Sequence, residues 1–268
     1  MDVIELTKKE MLRRNYSLRT IHTYIDCLKK FLNYYKKEER KITKQDIKDY
    51  LDNLLEKNLS GSTINVHLNS LKFLMEEILN KKFMVKIRYS KTPKTLPIFL
   101  TKEEIIRLLS KIENDKHRLM IKLIYGSGLR VSELVNLRVE DLNLYNFSGW
   151  VRHGKGNKDR LFIIPSSLKE ELSNYIKKNN LEYDSWLFNS YNGHISTRSI
   201  QEIIRNASRK AKLNKNVHPH ILRHSYATHL IENGYDIATL QSLLGHNSAK
   251  TTMIYVHMAN PKLINVKS

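Results

Sequence analysis

The chain is predicted to be mainly α with a small antiparallel β-sheet: a helical-bundle N-terminal domain followed by an α+β C-terminal domain. Three observations in the 268-residue sequence predict this. Apolar residues recur at spacings of three and four through the first third, and a basic, proline-bearing stretch near residue 90 interrupts them. Beyond residue 140 the period drops to two over three brief segments before helical spacing returns. With 41% hydrophobic residues, the chain can fill one large core or two ordinary ones.

In the first third, Ile21, Tyr24, Ile25, Leu28, Phe31, Leu32 and Tyr35 form one buried stripe. Thr43 followed by Asp46 resembles a capping box ahead of Ile47, Tyr50, Leu51, Leu54 and Leu55. Ile64, Leu68, Leu71, Leu74 and Ile78 make a third stripe. Such stripes pack a bundle core rather than line a cofactor pocket. Arg88, Lys91, Pro93, Lys94 and Pro97 then disfavour helix, which marks residues 89–98 as a linker between domains at 1–88 and 99–268. Its basic residues are equally compatible with simple solvation and with lying along a polyanion.

The second domain restarts at Thr101 and Glu104, a capping box before Ile105, Ile106, Leu108 and Leu109. A helix is predicted from His117 to Tyr125, ended by Gly126-Ser127-Gly128, and Ser132 with Glu133 opens a short helix carrying Leu134 and Leu137. Leu142-Asn143-Leu144, Trp150-Val151-Arg152 and Leu161-Phe162-Ile163-Ile164 read as antiparallel strands, with residues 154–159 as a hairpin loop and Pro165 closing the sheet. Helical spacing returns over 168–176, 200–211, 221–231, 237–244 and 251–255.

Charge points to the partner. Lys and Arg number 46 against 27 Asp and Glu, a formal net charge of +19, which favours a polyanion because cationic side chains displace condensed counterions. The excess is spread along the chain, with 21 Lys and Arg against 12 acids in residues 1–98 and 25 against 15 in 99–268. Cys27 is the only cysteine, which rules out an intrachain disulfide or a Cys-cluster zinc site and suits a reducing cytoplasm. The first residues lack the pattern of a signal peptide, and no apolar run approaches the roughly 20 residues that span a bilayer. A cytoplasmic location is expected, with no membrane partner.

Three segments carry chemistry. Gly126-Ser127-Gly128-Leu129-Arg130-Val131-Ser132-Glu133 sets an arginine at the entrance to a helix, where backbone amides and a guanidinium both favour an oxyanion. Taken alone, an Arg130–Glu133 surface pair is the simpler reading. In His218-Pro219-His220-Ile221-Leu222-Arg223-His224, the i,i+3 pair His220 and Arg223 shares one helical face, offering proton transfer and a permanent charge to a single group. The cluster of His218, His220, His224 and His229 matches no standard metal-ligand spacing. The third segment is Leu243-Leu244-Gly245-His246-Asn247-Ser248, with Tyr255 nine positions after His246.

In this order the three segments resemble the tyrosine recombinases, or phage integrase family, especially the Xer-like members. The resemblance covers the whole chain, with the specific motifs in the second domain. It implies a core-binding, SAM-like DNA-binding domain at 1–88 and a tyrosine-recombinase catalytic domain at 99–268. It further implies that Arg130 and Arg223 clamp a scissile phosphate, that His220 and His246 assist, and that Glu133 braces the site. Lys155 matches the family's β-hairpin lysine, a general acid for the departing 5′ oxygen; Lys158 competes for that role, and the glycines flanking Lys155 favour the former. Tyr255 would attack phosphorus and form a 3′-phosphotyrosyl bond.

The chemistry is self-consistent. Two guanidiniums and imidazole donors stabilise charge building on a phosphodiester transition state. A phenol with an ordinary pKa near 10 needs a base or nearby positive charge, which His220 and the arginines are expected to supply. No metal or nucleotide cofactor is expected, since the covalent bond conserves phosphodiester energy. The resemblance implies a duplex recombination site held in a synapse of four protomers. Xer-like dimer resolution and mobile-element integration both fit it; a type IB topoisomerase and a non-catalytic DNA-binding protein are the alternatives.

Only 13 residues follow Tyr255, with Leu263, Ile264 and Val266 as a small patch for docking on a neighbouring protomer. Deleting residues 260–268 is expected to weaken synapsis, measured by gel shift of paired duplexes, more than cleavage by a single protomer; equal loss of both would reject that division.

Overall fold

The structure is a computed structural model that describes residues 2–36, 41–83, 97–152, 159–191, 193–245 and 249–259. Most of the linker, the hairpin tip with Lys155 and Lys158, His246, and the tail with Leu263, Ile264 and Val266 lie outside the described residues. The chain divides into two compact units, Met1–Lys94 and Thr95–Ser268.

The first unit holds four helices: α1 (Val3–Arg13), α2 (Leu18–Tyr35), α3 (Lys44–Glu56) and α4 (Gly61–Phe73), the last running into a π-helical turn at Leu74–Ile78. Their starts are written in the sequence. The side chains of Asp2, Ser17, Thr43 and Ser60 each accept a hydrogen bond from the first turn of the helix that follows, and Thr43 with Asp46 forms the full reciprocal box. The three apolar stripes turn inward around Phe31, Leu28, Leu71 and Leu74, except that Leu55, at the end of the second, stays exposed. Helix α1, which the periodicity did not single out, adds Val3, Ile4 and Met11 to the same core.

In the second unit, α5 (Lys102–Ser110), α6 (Asp115–Ser127) and α7 (Val131–Val135) precede a three-stranded antiparallel meander, β1 (Leu142–Asn143), β2 (Ser148–Val151) and β3 (Arg160–Ile163). Trp150 pairs with Leu161 and Gly149 with Phe162, so Val151 and Phe162 face the core while Trp150, Leu161 and Ile163 face outward. Then come α8 (Lys169–Lys178), a two-residue ribbon of β4 (Asn189–Ser190) with β5 (Gly193–His194) that the sequence did not foretell, and α9 (Thr197–Lys210). The chain ends its described course with α10 (Pro219–Glu232), α11 (Ile237–Leu244) and α12 (Ala249–Ala259). Helix α10 crosses the middle of the unit: Ile221 and Leu222 join the main core, Tyr226 and Ala227 join a second cluster with Leu240, Leu244 and Tyr255, and Ser225 Oγ accepts from the backbone N–H of Leu100 at 2.8 Å.

One boundary differs from expectation. Gly126 and Ser127 continue α6, and Gly128 alone ends it, in the left-handed conformation at φ +60°. A Cβ on Gly128 would lie 2.4 Å from Cδ1 of Tyr226, so this position excludes a side chain twice, by dihedral angle and by space. Gly128→Ala is expected to destabilise the second unit by about 2–4 kcal/mol from left-handed strain plus overpacking. Urea unfolding read by tryptophan fluorescence checks this cleanly, because both tryptophans, Trp150 and Trp186, belong to that unit.

Candidate active site

The turn at Gly128 delivers Arg130 to the N-cap of α7, where its backbone N–H donates to Glu133 Oε2 at 2.8 Å and its guanidinium to Oε1 at 2.6 Å. Glu133 is buried, and it gathers two more arginines. Arg160, the first residue of β3, donates to Oε2 at 2.6 Å, and Arg223 Nη1 lies 3.8 Å from the same oxygen. Burial opposes ionisation of this carboxyl, but Arg160 and Arg130 outweigh it and leave its pKa below the ordinary value. Glu133 is therefore an anion at neutral pH that holds three guanidiniums together, and the four charges sum to an electropositive centre suited to a phosphate.

Arg223 is 4% exposed and spends its donors on the backbone: Nη1 binds the carbonyl of Gly128 and Nη2 that of Leu244. Arg160 Nη1 binds the carbonyl of Leu243. These are carbonyls at the C-terminal ends of α6 and α11, which lack intrahelical partners and carry the negative pole of the dipole. Burial and the neighbouring Arg130 push the pKa of Arg223 down to about 9, still charged at neutral pH. Gly245 caps α11 at φ +59°, and a Cβ there would lie 2.6 Å from Cδ of Arg160. The turn leading toward His246 is thus packed directly on this arginine.

Tyr255 is 3% exposed, with its ring among Tyr226, Leu240 and Leu244. Its hydroxyl lies 2.9 Å from Nδ1 of His224. Burial raises the phenol's pKa above the ordinary value, and Arg223 and Arg130 pull it back only in part. His224 is pushed down to about 4, first by burial and then by His220, His218 and Arg223, so its ring is neutral at neutral pH. His220 is exposed on the first turn of α10, and partial desolvation by its surroundings, with His218, Arg223 and Arg130, lowers its pKa.

Of the residues singled out from the sequence, the structure brings Arg130, Glu133, Arg223, His220 and Tyr255 into one neighbourhood of the second unit, while Lys155 and His246 lie outside the described residues. Two members of the site were missed. Arg160 falls in phase with the buried Phe162 on β3, and an arginine on a core-facing register needs a buried anion; that signal was readable. His224 was weighed only as a metal ligand. Neither it nor His229, which pairs with the Tyr125 hydroxyl at 2.8 Å, spends Nδ1 on another histidine.

Glu133→Gln is expected to cost about 3–5 kcal/mol by leaving the buried Arg223 and the partly buried Arg130 and Arg160 without their anion. Urea unfolding followed by tryptophan fluorescence measures it, and a loss below about 1 kcal/mol would show that Glu133 is not the hub.

Residues 98–261 match the Phage integrase family, and residues 4–84 match the phage integrase N-terminal SAM-like domain. The chain is 40% identical to tyrosine recombinase XerA of Pyrococcus furiosus over 249 residues, covering 90% of this chain and 84% of that one. It is 33% identical to tyrosine recombinase XerD of Oceanobacillus iheyensis over 275 residues, covering 94% and 92%. Among solved structures it resembles XerH recombinase bound to palindromic difH substrate in a post-cleavage complex, with a TM-score of 0.73 at 27% identity, covering 93% of this chain and 79% of that one. The crystal structure of XerA recombinase aligns with a TM-score of 0.57 at 30% identity, covering 97% and 96%.

Proposed function

Since the chain belongs to the phage integrase family of tyrosine recombinases, enzymes of site-specific DNA recombination, we propose that it cleaves and rejoins duplex DNA through a 3′-phosphotyrosyl bond at Tyr255. The observation that carries this is the buried phenol of Tyr255, whose ionisation Arg223 and Arg130 both favour, beside three arginines held on one carboxylate.

In this reading the scissile phosphate enters against Arg130 and Arg223. Their guanidiniums neutralise the negative charge that otherwise repels an oxygen nucleophile and stabilise the pentacoordinate transition state. His220, exposed three residues before Arg223 on α10, donates to a phosphate oxygen, and His246 assists. Lys155 at the β2–β3 hairpin protonates the departing 5′ oxygen. Glu133 and Arg160 hold the arginines in register without touching DNA. The domain at 1–88 and the catalytic domain at 99–268, joined by the linker at 89–98, both bind the duplex, and four protomers join two sites with each Tyr255 acting in its own protomer. The relatives' Xer names, together with matches covering 84–92% of their lengths, support an Xer-like role such as resolution of chromosome or plasmid dimers. Cation side chains and a side-chain nucleophile supply the chemistry of this reading, so a metal or nucleotide has no assigned role.

Incubating the wild type and Tyr255→Phe with a supercoiled DNA library, denaturing in detergent and sequencing the attached DNA tests this reading. The expected result is attachment at one recurring site, abolished in Tyr255→Phe. Attachment spread over all sequences would mean a type IB topoisomerase, and none at all a binding protein.

A further inference from the structure

The phenol of Tyr255 has to lose its proton to attack phosphorus, and a residue within hydrogen-bond distance of its oxygen is one the sequence motifs do not mark as catalytic. His224 Nδ1 stands 2.9 Å from the Tyr255 oxygen, with the two rings tilted at 44° and 5.6 Å apart. His220, the expected proton acceptor, lies one turn earlier on α10, at the exposed N-terminal end. We propose that His224 is a catalytic residue, the base that takes the proton of Tyr255 during cleavage and returns it during rejoining. This rests on the recombinase reading and names the proton's destination within it.

The step balances. The Tyr255 O–H bond breaks and its proton passes to Nδ1 of His224, whose Nε2 already carries one, giving an imidazolium. The phenolic oxygen forms the new P–O bond, the bond to the 5′ oxygen breaks, and that oxygen takes a proton from the general acid. In rejoining, the 5′ hydroxyl returns its proton to the conjugate base of the general acid as its oxygen attacks phosphorus, the bond to the phenolic oxygen breaks, and His224 gives its proton back to the departing phenolate.

The surroundings suit the role. A base has to be unprotonated before the reaction, and burial with the nearby His218, His220 and Arg223 on α10 keeps His224 neutral well below pH 7. The phenol of Tyr255 faces it from α12, and Arg130 at the N-cap of α7 bears on that phenol. A phosphate bound against Arg223 would cancel part of this positive field, so the same arrival that presents the target also raises the basicity of His224. Base and target are then coupled: without DNA, His224 holds little affinity for the proton and the buried phenol stays inert.

The test uses the full-length chain and a synthetic duplex carrying the site recovered by the trapping experiment. Covalent adduct formation is measured under single turnover from pH 6 to 9 for wild type, His224→Ala and His224→Asn; the asparagine keeps an acceptor for the phenol's hydrogen bond but cannot take its proton. Gel shift and thermal melting check DNA binding and folding. At pH 7 both variants are expected to form adduct about 100-fold more slowly with DNA binding unchanged, and their rates to climb about tenfold per pH unit as hydroxide replaces the base. Adduct formation by His224→Asn within threefold of wild type overturns the proposal, because a hydrogen bond alone would then suffice. A slowing of both variants by one constant factor at every pH overturns it equally. If the wild type itself forms no adduct on any DNA, the recombinase reading fails first and takes this one with it.

Discussion

A single buried carboxylate organises the catalytic unit. Three guanidiniums brought close together, one buried and two partly so, repel one another and lose hydration, and an anion among them offsets both costs. Glu133 is that anion. Its two oxygens reach Arg130 on its own helix and Arg160 on β3, and its charge bears on Arg223 of α10. Helices α7 and α10 and the sheet are therefore registered against each other by charge pairing as well as by the apolar core beneath them.

The arginines in turn satisfy carbonyls that helix geometry leaves orphaned. Arg223 joins the carbonyl of Gly128, at the end of α6, to that of Leu244, at the end of α11. Arg160 takes the carbonyl of Leu243 and lies under Gly245. Both helix ends need a left-handed residue, and in both cases a side chain packed close by leaves no room for a Cβ, so glycine serves the backbone and the site at once. A guanidinium at a helix C-terminus also meets the negative end of the dipole, which offsets some of its burial cost. The positive centre is thus built from groups that the fold needs for its own stability, and rigidity comes with it.

Tyr255 belongs to a different environment. Its ring is part of the small apolar cluster between α10, α11 and α12, and only its oxygen looks toward a polar group. Low polarity around the ring disfavours the phenolate while positive charge nearby favours it, and the balance leaves the phenol protonated. A phenol held in this way is shielded from solvent, and its ionisation depends on the charge placed near it.

Much of this was legible in the sequence, because helices and strands announce themselves locally. The capping residues Thr43, Asp46, Thr101 and Glu104, the inward stripes and the three short strands depend on neighbours within a few positions, and the motif residues Arg130, His220, Arg223 and Tyr255 stand at recognisable spacings. Helix α1 and the β4–β5 ribbon escaped that reading: in α1 the polar Thr7 fills a buried position between Ile4 and Met11 and breaks the apolar pattern, and the ribbon spans two residues per strand. The sequence by itself determined most of the secondary structure, the basic character and the family to which the chain belongs. Tertiary structure alone decided that Arg160 shares a carboxylate with Arg130, 30 positions away, and that His224 stands against the hydroxyl of Tyr255, 31 positions on. A buried charge or proton acceptor is defined by what stands within 3 Å of it, and chain spacing carries no record of that once the backbone has turned between them.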